Sequence, residues 1–113
     1  MILPGTGLPS QLVSCALALS IAAAQAQEVS LSISVKNHRF QPAELHAPAN
    51  VPITLTVRNL DATPMEFESV KLRIEKIVTG SSQGIIRLRP LTPGTYGFFD
   101  DFHPETTGVL IVR

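Results

Sequence analysis

Strict alternation of apolar and polar residues is the feature that most constrains this chain. Val29, Leu31, Ile33 and Val35 alternate with Ser30, Ser32, Ser34 and Lys36, and Ile53, Leu55 and Val57 alternate with Thr54, Thr56 and Arg58. A period of two places one set of side chains on a single face of an extended backbone, so each segment reads as a half-buried strand. Met65-Glu66-Phe67-Glu68-Ser69 alternates again, Glu44–Ala47 is a short extended piece, and Ile85, Ile86 and Leu88 mark another strand. Pro93-Gly94 turns into Thr95–Phe99, and Gly108–Val112 forms a closing apolar strand. Breakers separate these runs: Asn37–Pro42, Pro48-Ala49-Asn50, Asn59–Pro64 and Gly80–Gly84. Val70–Val78 is ambiguous, because Val70, Leu72 and Ile74 suit a strand while Glu75-Lys76-Ile77 suits a helical turn. Many short strands without a convincing amphipathic helix imply an all-β fold, a Greek-key antiparallel β-sandwich.

The first quarter of the chain differs from the rest. Met1 to Ala26 carries no acidic or basic residue, has an apolar centre from Leu12 to Ala24, and ends Ala24-Gln25-Ala26, an A-x-A pattern. This reads as a secretory signal peptide at 1–26, followed by one domain at 27–113. A retained anchor is the alternative, although the apolar run is short beside the roughly 20 residues that a span requires. The single Cys15 lies within this segment, where Leu12-Val13-Ser14-Cys15 loosely matches a lipoprotein cleavage box. The apolar run continues past Cys15, against the lipidated reading. With the leader removed, the chain has no cysteine and relies on its core, or on core plus metal, for stability. An exported location follows, with no membrane insertion of the mature chain. Nine basic and nine acidic residues leave zero net charge, which gives no electrostatic footprint for nucleic acid.

Three groups of residues then carry a resemblance. They are Phe40-x-Pro42 leading to Pro48-Ala49-Asn50, Asn59-x-Asp61 with Pro64, and Pro93-Gly94-x-Tyr96-x-Phe98 with His103 and Gly108. In this order and spacing the chain resembles the cupredoxin family over nearly all of residues 27–113. Pro64–Ser69, Glu75-Lys76 and Phe98–His103 are similar to a cysteine-free branch, the small periplasmic cupredoxin-like proteins of bacterial ferrous-iron uptake systems, and to the cupredoxin domain of EfeO-type proteins, so the resemblance implies a periplasmic location. Set against blue-copper members, Met65 stands at the first histidine, Asp100 at the cysteine, His103 at the second histidine and Gly108 near the methionine. The resemblance therefore implies copper, with iron as the alternative, in a site without the thiolate that a blue centre requires. It also implies a membrane iron permease or a periplasmic iron-binding protein as partner.

The candidate ligands follow from residue chemistry. His103 and Asp100 lie three apart and can reach one metal, Met65 can approach from the neighbouring loop–strand junction, and the family fold brings His38 near the same end. Imidazole suits copper, zinc and iron, and a thioether suits cuprous ion. Glu66 and Glu68 share a strand face and either turn toward that site or join Asp101 in an oxygen-rich patch. Each has a plainer role open to it: His103 in packing, His38 at the surface, Met65 beside Phe67 in the core, the acids as solvated surface. His46 is expected to face solvent. Three functions stand: a metal-binding protein serving iron uptake by redox chemistry, a copper carrier without turnover, and a metal-free interaction module.

Overall fold

The computed structural model describes residues 27–113, which form nine strands in the order β1 (Val29–Lys36), β2 (Arg39–Gln41), β3 (Glu44–Ala47), β4 (Ile53–Asn59), β5 (Met65–Ser69), β6 (Ile74–Val78), β7 (Ser82–Leu88), β8 (Gly94–Asp100) and β9 (His103–Val112). The apolar leader and Cys15 lie outside the described residues. No helix among the described residues is long and apolar enough to cross a membrane.

Two sheets face each other, one ordered β2-β1-β4-β7 and the other β3-β9-β8-β5-β6. The all-β sandwich is as the alternation implies, yet two neighbouring pairs run parallel, β1 with β4 and β3 with β9. Parallel neighbours need a long crossover. Between β1 and β4 the chain supplies one by visiting the opposite sheet as β3. The ambiguous Val70–Val78 segment resolves into a turn and an edge strand. Arg73 adopts φ 57° and its N–H donates to the Val70 carbonyl at 3.2 Å, leaving Val70 exposed and Leu72 buried before β6 begins. The expected loop at Gly80–Gly84 is shorter than its composition implies, because β7 starts at Ser82 and pairs with β4 along its length.

The inward parity of each strand builds the core and continues into the polar end of the sandwich. Val57 is fully buried, and two residues on the same parity buries Asn59. Phe98 is buried, and the same step buries Asp100 completely. Phe67 and Phe98 stack at 4.9 Å, and the Phe40 ring meets them edge-on at 6.1 and 4.9 Å. This aromatic trio backs the polar end with a packed apolar layer. Gly108 lies against it: a Cβ there would sit 2.4 Å from Phe98 Cε2 and 2.9 Å from the Ala43 carbonyl oxygen, so only glycine lets β9 pass.

Candidate metal centre

His38 is presented by a two-residue hairpin. Lys36 pairs with Arg39 across the turn, and Asn37 and His38 between them adopt φ 52° and 56°. Positive φ at both central residues is the type I′ turn, whose twist matches that of the flanking strands. Asp61 holds this turn from the loop after β4, its carboxylate accepting from the N–H of Asn37 at 2.6 Å and of His38 at 3.0 Å. On the other side of the turn, the buried Thr106 hydroxyl of β9 donates to the His38 carbonyl at 2.5 Å.

His103 opens β9 after the tight Asp101-Phe102 connection, at an irregularity in the β8–β9 ladder. Its ring is held by the buried Asp100, with Nδ1 3.1 Å from Oδ2. The other Asp100 oxygen accepts from the N–H groups of Glu66 at 2.9 Å and Phe102 at 3.0 Å. Both oxygens are therefore engaged inside the protein, which makes Asp100 a support for the His103 ring.

These two supports bring the imidazoles together. The His38 and His103 rings stack with centroids 3.9 Å apart and planes 28° from parallel. Each has a carboxylate on its Nδ1 side, Asp100 at 3.1 Å for His103 and Asp61 at 3.7 Å for His38. That leaves Nε2 of each ring for another partner. His103 is held as metal-bound histidines commonly are, the second ring nitrogen within hydrogen-bond distance of a carboxylate that fixes tautomer and orientation, whereas His38 Nδ1 faces its carboxylate beyond hydrogen-bond distance. The rings are 46% and 30% exposed, so an ion can reach them from solvent, whereas Asp100 is wholly covered. The N–H of His38 holds the Asp61 carboxyl below the usual carboxylate range, the Asn37 N–H adds to this, and burial acts in the opposite direction.

The remaining sequence candidates fall elsewhere. Met65 is fully buried in the apolar core at the start of β5. Glu66, Glu68 and Asp101 meet on the outer face of the larger sheet, each offering an oxygen within 4.8 Å of the others; among the described residues, this is where three or more His, Cys, Asp or Glu ligand atoms converge. The carboxyls of Glu66 and Glu68 are raised from their ordinary values. Partial burial is the main cause for both, with Asp101 and Glu75 adding to Glu66, and Glu75, directly opposite in β6, adding to Glu68. The trio is linked to the imidazole pair through Asp100, whose Oδ1 accepts the Glu66 N–H at 2.9 Å while its Oδ2 lies 3.1 Å from His103 Nδ1. His46 faces solvent beside Glu44 at 2.9 Å. Asp61 supports the pair without being among the sequence candidates; its signal is the Asn59-x-Asp61 spacing, in which Asn59 Oδ1 accepts the Asp61 N–H at 3.1 Å.

The sequence profile of the cupredoxin-like domain matches residues 10–112. The chain belongs to the cupredoxin-like domain family. An uncharacterised protein of Rickettsia prowazekii (strain Madrid E) is 42% identical over 84 residues, covering 74% of this chain and 67% of the relative. Among solved structures, the purple cupredoxin of Nitrosopumilus maritimus superposes with a TM-score of 0.59 at 19% identity, over 74% of this chain and 99% of its own. The metal-binding domain of the Streptococcus pneumoniae Cu(I)-exporting P-type ATPase, determined with Cu(I), gives 0.67 at 15% identity over 79% and 98%. Auracyanin A of Chloroflexus aurantiacus, a "blue" copper protein, gives 0.65 at 14% over 77% and 100%. At these identities the likeness establishes the shared cupredoxin-like sandwich.

Proposed function

We propose that this cupredoxin-like protein is an exported, periplasmic metal-binding protein whose centre is the His38–His103 pair, and that copper is its metal. The observation that carries this reading is the stacked imidazole pair with a carboxylate on each Nδ1 side. The donor types fit a histidine-held copper ion: imidazole lone pairs lie in the ring plane, so His38 and His103 would turn out of their stack to bind one ion through Nε2, with Asp61 and Asp100 behind them. They do not fit a blue centre, because residues 27–113 contain no cysteine to supply the thiolate. A bound copper ion would supply one-electron exchange between its cupric and cuprous states.

The protein's own residues do the rest. Asp100 fixes the His103 ring and keeps its Nε2 lone pair available, and the aromatic trio behind the site excludes water from the core side. Met65, the thioether expected from the sequence, is fully buried in the core and is not part of this donor set. The Glu66, Glu68 and Asp101 trio offers oxygen donors, which suit iron better than cuprous ion. With the resemblance to iron-uptake proteins, it supports a role in iron handling beside a membrane permease or a periplasmic iron-binding protein.

Copper(II) titration of the purified protein tests the reading. Stoichiometric binding without an intense thiolate colour, lost in both His38→Ala and His103→Ala, is the expected result. Ferrous-oxidation assays of the copper-loaded protein then separate redox turnover from simple carriage. Absence of micromolar copper binding would refute the metal reading and leave an interaction module.

A further inference from the structure

We infer that Asp61 is the positioning residue of His38, setting both the turn that carries the ring and the ring nitrogen that faces away from the protein. The inference rests on the metal-binding reading only in its copper arm. Asp61 is fixed before it acts. Its N–H donates to Asn59 Oδ1 at 3.1 Å, its carbonyl accepts from the Ser81 N–H at 2.9 Å, and the adjacent Leu60 N–H donates to the Val35 carbonyl at 2.8 Å. Asn59 is anchored in turn, its Nδ2 donating to the carbonyls of Thr63 at 2.8 Å and Val78 at 3.1 Å. From this anchored loop the Asp61 carboxylate spans to the hairpin, bonding the Asn37 and His38 N–H groups and lying 3.7 Å from His38 Nδ1.

The choice of residues argues that the ring, and not the turn, is the purpose. A type I′ turn is made most easily by Asn-Gly, since glycine accepts positive φ without steric cost. Here the first position is Asn37, but the second is a histidine at φ 56°. Histidine is among the residues that tolerate this region, which Asn50, Arg73 and Ser81 also adopt here, and two contacts hold it there. They are the Asp61 carboxylate on its N–H and the Thr106 hydroxyl on its carbonyl. What histidine adds over glycine is an imidazole, and that imidazole stacks on His103 at 3.9 Å. At 3.7 Å the Asp61 carboxylate is beyond hydrogen-bond distance of Nδ1, but its negative charge on that side favours the tautomer with the proton on Nδ1 and the lone pair on Nε2.

Long-range nitrogen–proton NMR of the imidazoles, recorded on metal-free protein at a pH where both rings are neutral, tests this directly. Wild type is expected to show His38 mainly as the Nδ1–H tautomer, with His38–His103 ring contacts. Asp61→Asn is expected to lose that tautomer preference and weaken copper(II) affinity by roughly ten- to a hundredfold, as removal of an outer carboxylate does elsewhere. Asp61→Ser keeps an oxygen acceptor near the turn without the charge and carries the same measurement should Asp61→Asn fail to fold. Its tautomer and affinity are expected to be altered as in Asp61→Asn. An unchanged His38 tautomer in Asp61→Asn, or in Asp61→Ser where Asp61→Asn fails to fold, overturns the inference. If wild type binds no copper, the metal reading falls and the metal-free NMR alone decides the role of Asp61.

Discussion

Asp100→Asn is the most informative single change to this protein. Asp100 is fully buried, with Oδ1 accepting two backbone N–H groups and Oδ2 facing His103 Nδ1. An asparagine fits the space, and only one orientation is tolerable: its oxygen must stay on the Glu66 and Phe102 amides, because an NH2 group there would meet two donors. Its Nδ2 then points at His103 Nδ1, which must accept, so the ring proton moves to Nε2. The two amide bonds change from charge-assisted, worth about 1.5–3 kcal/mol each, to neutral, worth about 0.5–1.5. The loss is about 2 kcal/mol, or roughly 8–16 °C in melting temperature for a domain of this size. Copper affinity is expected to fall by about ten- to a hundredfold because Nε2 no longer carries a lone pair. Thermal melts, copper(II) competition titration and imidazole NMR read the three effects separately. A His103 ring that keeps its tautomer while copper affinity falls would show Asp100 to be a direct ligand. Unchanged stability and affinity would refute the supporting role.

Three other expectations follow from the same geometry. Phe67→Ala removes a fully buried ring packed against Phe98 and Phe40 and is expected to cost about 3–5 kcal/mol by denaturant unfolding, with a loss below about 1 kcal/mol speaking against the aromatic trio as core. Asp61 has a lowered carboxyl, so its stabilisation is full above the unfolded carboxylate value and lost as pH falls through its folded value. Glu66 and Glu68, with raised carboxyls, run the other way and are relieved on acidification, so the comparison must be wild type against Asp61→Asn. The difference in melting temperature should be steady near neutrality and shrink below about pH 5. Glu68→Gln removes one of two carboxylates facing each other across β5 and β6 and should raise the melting temperature, more so at low salt.

How much of this was legible in the sequence depends on how local each cause is. The alternations at Val29–Lys36 and Ile53–Arg58 locate β1 and β4 because burial on one face is written every second residue. Their parallel pairing is not written there, since it depends on where the chain returns after crossing to the other sheet. Asn37-His38 reads in the sequence as a break and not as a two-residue hairpin, because histidine occupies the place where glycine would announce one. For the site, His38 and His103 are both candidates in the sequence, and the structure brings their rings together. Asp100 reads in the sequence as a ligand. Its parity with Phe98 already hinted at burial, but the amides it binds include Glu66, thirty-four residues away, and only the β5–β8 register brings them together. Asp61 escaped notice for the same reason, its partners lying across the loop on the β1–β2 turn.

The central claim is that two imidazoles from separate elements hold one metal ion. Electron paramagnetic resonance of the copper(II)-loaded protein counts them directly through nitrogen hyperfine coupling. The account predicts coupling to two imidazole nitrogens, reduced in His38→Ala and in His103→Ala and unchanged in Glu68→Gln. A cupric signal without nitrogen coupling, or one indifferent to both histidine variants, would contradict it.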